Sequence, residues 1–199
     1  MFKPFLALIL SVAMLAGCAE KGKESPPEAI AAAVYLHNGP PRLTLFTMVN
    51  NRSGSGAHTA LLVQGTQSVM FDPAGSFEHP RVPERGDVLY GMSPGWVASY
   101  KSAHARDTFH VVSQEFVVTP AQAARAMQLV EARGAVPGAQ CALATSAILR
   151  QIPGFETVEQ GYYPLRLMEQ LEQMPGVKTS RYYEDDAGNV QDGIKALAQ

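Results

Sequence analysis

The chain has 199 residues, of which 46% are hydrophobic and 17% are charged, and its formal net charge is −2 at pH 7. This composition is typical of a globular protein. A weakly acidic chain without a basic block argues against general binding to nucleic acid or to an anionic membrane surface.

The first residues have the pattern of an export signal. Lys3 supplies a positive charge, and residues 5–15 form an apolar run too short to span a bilayer permanently, so residues 1–17 are predicted to be a signal peptide. The run ends in Leu15-Ala16-Gly17-Cys18, which resembles the bacterial lipobox. This resemblance implies that Cys18 carries diacylglycerol and becomes the mature N-terminus. An ordinary secretory cleavage site that contains Cys18 by chance is the alternative.

Lipidation of Cys18 would anchor the protein in the bacterial envelope. Several acyl chains bind a membrane stably, because each buried methylene contributes about 0.8 kcal/mol. Ala19 at the second mature position resembles the residue choice of outer-membrane lipoproteins in enterobacteria, which implies an outer-membrane anchor facing the periplasm. Removal of residues 1–17 takes away Lys3 and no acidic residue, so the net charge of the mature chain would be −3.

Beyond Cys18 the sequence predicts a short tether and a single domain. Residues 18–30 are charged and Pro-rich and have no apolar periodicity, which is typical of a flexible linker. Residues 31–199 are long enough to bury a core without disulfides. Turn-forming residues and alternating patterns predict β-structure in the first half. The predicted strands are a hairpin at 31–36 and 42–49, a pair at 57–63 and 68–72, a short element at 87–90, and a strand at 109–118.

The second half of the domain is predicted to be helical. Thr119 and Pro120 form a cap and a first helical position, and that helix should finish near Gly134. Further helices are expected over residues 141–152 and 164–174, and the acidic tail after Tyr183 is weakly helical. Strands followed by helices predict the α+β class.

Cys141 is the only thiol that remains if Cys18 is lipidated. An unpaired cysteine in an oxidising compartment indicates intermolecular pairing or a reactive side chain. Cys141 begins a predicted helix, and the partial positive charge at a helix N-terminus favours a thiolate. The alternative is a buried structural cysteine, since this residue type packs well in cores.

A histidine and an aspartate are predicted to lie at one edge of the second pair of strands. His58 begins one strand and Asp72 ends its partner, so the two side chains should lie near each other as a base and an orienting acid. The alternatives are a histidine with local hydrogen bonds at a strand start and an aspartate that only forms a turn. His79, His104 and His110 have no obvious partner spacing, and hydrogen-bonded or surface positions are expected for them.

Two segments resemble a known family of hydrolases. Gly56-Ala57-His58-Thr59-Ala60-Leu61-Leu62-Val63, followed by a turn and Val69-Met70-Phe71-Asp72, resembles the histidine hairpin of NlpC-type papain-like cysteine peptidases. Gly138-Ala139-Gln140-Cys141-Ala142-Leu143 resembles their cysteine helix. Those peptidases usually place the cysteine helix first. Circularly permuted members with the opposite order exist, including relatives similar to lecithin:retinol acyltransferase.

The resemblance implies a papain-like antiparallel sheet packed against helices, in a circularly permuted order. It assigns Cys141 as the nucleophile, His58 as the base and Asp72 as the orienting residue. The Asp-Cys-Ser-Gly tetrapeptide common around the cysteine of ordinary members is absent, since this chain has Gln140-Cys141-Ala142-Leu143, and the substrate is therefore left open.

The predicted function is that of a lipid-anchored cysteine hydrolase, an amidase or endopeptidase that forms a thioester and acts on peptidoglycan peptides. One alternative is an acyl-lipid or ester hydrolase or acyltransferase with the same dyad. Another is a non-catalytic lipoprotein that binds envelope polymers or a partner protein. A thiol dyad needs no cofactor and the sequence contains no zinc pattern, so neither a cofactor nor a metal is expected.

Overall fold

The computed structural model describes residues 23–75 and 77–197, and this part of the chain is an α+β structure with one seven-stranded sheet and six helices. The strands are β1 (Arg42–Asn50), β2 (Gly56–Gln64), β3 (Ser68–Phe71), β4 (Glu84–Arg85), β5 (Val88–Tyr90), β6 (Phe109–Val117) and β7 (Lys178–Tyr182). The helices are α1 (Pro27–Ala32), α2 (Pro94–His104), α3 (Pro120–Arg133), α4 (Cys141–Leu149), α5 (Pro164–Glu172) and α6 (Val190–Leu197). The predicted signal peptide and the lipidation at Cys18 lie outside the described residues.

The sheet is antiparallel throughout, with the strand order β4-β5-β3-β2-β1-β6-β7. β1 pairs along its length with β2 on one side and β6 on the other. β3 pairs only with the second half of β2, where Phe71 lies opposite Leu61. The first half of β2 therefore has a sheet neighbour on one side only, and its other edge is open to the loops and helices.

Both faces of the sheet are covered, because alternate side chains of the central strands enter different cores. On one face Leu61 and Val63 of β2 pack with buried residues of α3, α4 and α5. On the other face Ala60 and Leu62 pack with Tyr100 of α2 and a residue of α6. Burial of one such aliphatic side chain contributes about 1.5–3 kcal/mol, so the pattern of β2 alone fixes which residues face which layer.

Most of the predicted elements are confirmed. The α+β class is correct, as are the strands near 42–49, 57–63, 68–72, 87–90 and 109–118 and the helices that begin at 120, 141 and 164. Thr119 caps α3 as expected, and its hydroxyl accepts a hydrogen bond from the Gln122 amide at 3.2 Å. Four elements, α1, α2, β4 and β7, were not predicted from the sequence.

The strand predicted at 31–36 and its hairpin with β1 are wrong. Pro27 occupies the first turn of α1, and the Ala33 amide closes that helix on the carbonyls of Ala29 and Ile30. The residues that suggested a strand remain in solvent, with Val34 45% and Leu36 63% exposed. A proline at a helix start favours the helical turn, and the segment that follows forms no strand, although the Tyr35 carbonyl accepts a hydrogen bond from the Ser68 amide of β3 at 3.0 Å.

The described end of the predicted tether, residues 23–30, is not free, so this part of the domain assignment is corrected. The Ser25 amide donates to the Glu84 carbonyl at 2.8 Å, and the Glu84 amide donates to the Ser25 hydroxyl at 3.0 Å. Arg85 donates to the Ser25 carbonyl at 2.6 Å. Backbone pairing with the edge strand β4 holds this segment on the domain despite its polar sequence.

Among the residues described, no helix is long and apolar enough to cross a membrane.

Candidate active site

His58 lies where β2 has an open edge. It is opposite Met48 of β1, and the register of the two strands shifts just beyond that pair. The strand β3 has not yet begun to pair with β2 at this point, so the β2 backbone has no strand partner on that side. Part of the His58 side chain, 18%, is exposed. A histidine at this position is fixed by the sheet and is still reachable from outside.

Cys141 is the first residue of α4. Its neighbour Gln140 makes no side-chain cap, and Ala139 has a left-handed backbone with φ of 62°. The chain therefore turns sharply into the helix, and no side chain of Gln140 caps the amide groups of the first turn. The residue is 7% exposed, and most of the rest of α4 is buried against the sheet and its neighbouring helices.

Asp72 follows directly after β3. Its amide donates to the Asp87 carbonyl at 2.8 Å, and its carbonyl accepts from the Gly75 amide at 2.9 Å, so a tight turn fixes the backbone. The residue is 4% exposed. A buried carboxylate needs hydrogen-bond donors, since an isolated buried charge is very costly.

The structure brings the three sequence-predicted residues together in one chain of contacts. The Nε2 atom of His58 lies 2.6 Å from Oδ1 of Asp72. Cys141 is the other partner of the ring, since the hydrogen bond and the charge of each side chain shift the pKa of the other. Because Asp72 occupies Nε2, the other ring nitrogen, Nδ1, is left to face the sulfur. The imidazole thus lies between a thiol and a carboxylate.

The electrostatics favour an ion pair between His58 and Cys141. Burial alone would lower the pKa of His58, but the charge and hydrogen bond of Asp72, together with Cys141, raise it to about 10. Burial opposes ionisation of Cys141 too, but the hydrogen bond and charge of His58 and the amides of Thr59 and Ala142 lower the pKa of the thiol below its ordinary value. An imidazolium is therefore the favoured state of His58 at neutral pH, and the Cys141 thiol ionises more readily than an ordinary cysteine.

The ionised state of Asp72 has its own support. Burial would raise the pKa of Asp72, but the charge and hydrogen bond of His58, the nearby His104 and the Tyr100 hydroxyl lower it. A second carboxyl group, that of Glu84 in β4, behaves in the opposite way. Burial and the negative charges of Asp72 and Asp87 raise the pKa of Glu84 to about 7. Only the carboxylate with a cationic partner keeps its full charge at neutral pH.

Two residues of this site were not assigned from the sequence, Tyr100 and His104 of α2. The Tyr100 hydroxyl donates to Oδ1 of Asp72 at 2.7 Å. The His104 ring stacks on that of His58 with 6.2 Å between centroids, and its Nδ1 donates to the Tyr100 carbonyl at 2.8 Å. The signal in the sequence is Ser93-Pro94, which repeats the cap and proline pattern of Thr119-Pro120 and starts a helix in which these two residues are one turn apart.

The remaining histidines of the sequence analysis lie in other environments. His79 is buried and packs on Trp96, with 4.7 Å between ring centroids. His110 lies 2.7 Å from the side-chain oxygen of Asn51 and stacks on Tyr183. Across residues 23–75 and 77–197, no group of three or more His, Cys, Asp or Glu side chains could hold a metal ion.

Comparison of the chain with protein-family models, with curated proteins and with solved structures finds no match. The geometry of the cluster and the short sequence motifs are therefore the basis for a function.

Proposed function

We propose that the chain is a lipid-anchored envelope cysteine hydrolase that cleaves an amide bond, with peptidoglycan peptides as the substrate class. The observation that carries the proposal is the position of the His58 imidazole between the Cys141 thiol and the Asp72 carboxylate. Nucleophile, base and orienting acid are the three parts that thiol-based acyl transfer requires.

The chemistry follows from the charge states. The Cys141 thiolate attacks the amide carbonyl carbon, and the electron pair of the carbonyl moves to oxygen. When the tetrahedral intermediate collapses, the C–N bond breaks, and His58 gives its proton to the leaving amine. A thioester remains on Cys141. The neutral His58 then takes a proton from water, whose oxygen attacks the thioester and releases the carboxylic acid, and Cys141 is regenerated.

The start of α4 supplies stabilisation for the developing oxyanion. The Ala144 amide is bonded to the Gln140 carbonyl, so the amides of the preceding residues in the first turn have no intrahelical acceptor. Amides at a helix N-terminus stabilise negative charge next to the sulfur, both on the thiolate and on the carbonyl oxygen that it attacks.

A circularly permuted NlpC-type, papain-like domain is the fold assignment that belongs to this proposal. Three features support it: an antiparallel sheet, a histidine hairpin from β2 and β3, and a later helix that begins with cysteine and packs on β2. The contact between His58 and Cys141 favours an enzyme over the non-catalytic binder, for which a distant histidine is expected. The acyl-lipid alternative uses the same dyad. It differs from the amidase in the substrate that the enzyme turns over.

The first test is the pH dependence of Cys141 alkylation by iodoacetamide in the full chain, followed by mass spectrometry of the peptide that contains Cys141. We expect the rate to reach half its maximum well below the ordinary thiol pKa of about 8.5. In His58→Ala the midpoint should rise above that value, since burial then acts on the thiol without a cation. His110→Ala, which changes a hydrogen-bonded histidine elsewhere, is the matched control.

A midpoint near 8.5 that is indifferent to His58→Ala would refute the proposed dyad. If the thiol is activated, the parent protein should generate new amino groups from peptidoglycan fragments. The Cys141→Ser variant should generate none. Turnover of acyl lipids without cleavage of peptidoglycan would instead establish the alternative substrate.

A further inference from the structure

One carboxylate oxygen of Asp72 accepts two hydrogen bonds. Oδ1 lies 2.6 Å from Nε2 of His58 and 2.7 Å from the hydroxyl of Tyr100. The backbone of Gly75 lies directly against the carboxylate, since a β carbon added to Gly75 would overlap with both of its oxygens. Two donors therefore bind Oδ1 of Asp72, and the backbone of Gly75 packs against the carboxylate.

The side chain of Tyr100 is held by aromatic packing in addition to its hydrogen bond. Its side chain is fully buried, with 0% exposed. The ring contacts those of Phe46, Phe77 and His104, with centroid distances of 6.0, 5.2 and 4.2 Å. The hydroxyl points out of this aromatic packing to a single acceptor, the carboxylate of Asp72.

We propose that Tyr100 is a positioning residue that holds the Asp72 carboxylate in the orientation in which it binds His58 and thereby maintains the Cys141 thiolate. The proposal rests on the dyad of the proposed function. The hydroxyl of Tyr100 is bonded to Asp72, and its effect passes through that carboxylate. In its absence the carboxylate can rotate about its terminal torsion, which is soft, and the bond to His58 loosens.

The test is Tyr100→Phe in the full chain, because phenylalanine keeps the ring contacts and removes only the hydroxyl. We expect the alkylation midpoint of Cys141 to rise by about half a unit to one unit, which lowers the rate about three- to tenfold at pH values below the midpoint. Tyr182→Phe is the matched control, since the Tyr182 hydroxyl is bonded to Glu184 rather than to the carboxylate of Asp72. That variant should have the alkylation profile of the parent.

A double-mutant cycle separates positioning from a general structural role. If Tyr100 acts through Asp72, Tyr100→Phe should have no further effect on the alkylation midpoint once Asp72→Asn is present. Additive shifts, or an unchanged midpoint in a Tyr100→Phe protein that is merely less stable, would overturn the inference. An ordinary thiol pKa in the parent protein would instead reject the proposed function, so the two failures are distinguishable.

Discussion

Two histidines whose rings stack 6.2 Å apart have opposite acid–base behaviour. The pKa of His58 is raised to about 10, because Asp72 and Cys141 outweigh burial. The pKa of His104 is lowered to about 4, because burial outweighs the attraction of Asp72 and the His58 charge repels a second proton. One buried carboxylate thus supports one imidazolium, and the second ring stays neutral and serves as packing and as a donor to the Tyr100 carbonyl.

The neutral state of His104 predicts a loss of stability in mild acid. Its folded pKa lies below the unfolded value of about 6.5, so its contribution is fully present above pH 6.5 and is lost as the pH falls toward 4. The loss amounts to about 3 kcal/mol across this interval. In His104→Asn, which cannot titrate, the free energy of unfolding should depend less steeply on pH between 6.5 and 4.

The measurement is urea unfolding of the parent protein and of His104→Asn at several pH values. The slopes of the free energy of unfolding against pH are compared, rather than the absolute stabilities. His58 adds little slope below about pH 5.5, where it is protonated in both the folded and the unfolded chain, and its contribution closer to pH 6.5 is common to both proteins. Glu84, whose pKa is raised to about 7, opposes the trend but is common to both proteins. Equal slopes in the two proteins would show that His104 does not remain neutral when buried.

The turn after β3 sets the distance between the Asp72 carboxylate and the backbone of Gly75. Gly75→Ala would place a methyl group on the Asp72 side chain, which cannot move away without leaving His58. We expect a loss of about 1–3 kcal/mol in the free energy of unfolding, as for other overpacked sites, and slower Cys141 alkylation at pH 7. Gly161→Ala is the control, because a β carbon there has no neighbour within 4 Å. An alkylation profile like that of the parent would show that the carboxylate can adapt.

The sequence predicted the elements of the site that have local signals. Two short tracts separated by a turn, now β2 and β3, placed His58 and Asp72 at one edge, and Pro137-Gly138 placed Cys141 at a helix start. The strand β7 was missed because Lys178–Tyr182 is an edge strand with mostly exposed or half-buried residues and no apolar alternation. The contribution of α2 was missed because the bond from Tyr100 to Asp72 joins residues 28 positions apart, and no periodic pattern encodes it.

At the scale of the molecule, the site joins two distant parts of the chain, and Asp87 connects them. Its Oδ2 accepts from the Ala74 amide, next to the Asp72 turn, and from the Val136 amide, ahead of Cys141, both at 2.8 Å. Its carbonyl accepts from the Asp72 amide. Asp87 is 6% exposed and has a φ of 63°, which an aspartate adopts more readily than most residues.

Asp87→Gly isolates the role of this carboxylate, since glycine adopts the same backbone conformation without strain. Removal leaves two amides without their acceptor, and we expect the free energy of unfolding to fall by roughly 2–4 kcal/mol. Asp185→Gly, at an exposed aspartate, measures the entropy that glycine adds to the unfolded chain and should cost no more than about 1 kcal/mol. Urea unfolding compares the two variants.

Since Asp87 is bonded to the segments that carry Asp72 and Cys141, the alkylation midpoint of Cys141 should also rise in Asp87→Gly alone. Equal stability losses in the two variants, with an unchanged midpoint, would mean that each half of the site is held by its own core contacts and that Asp87 does not couple them.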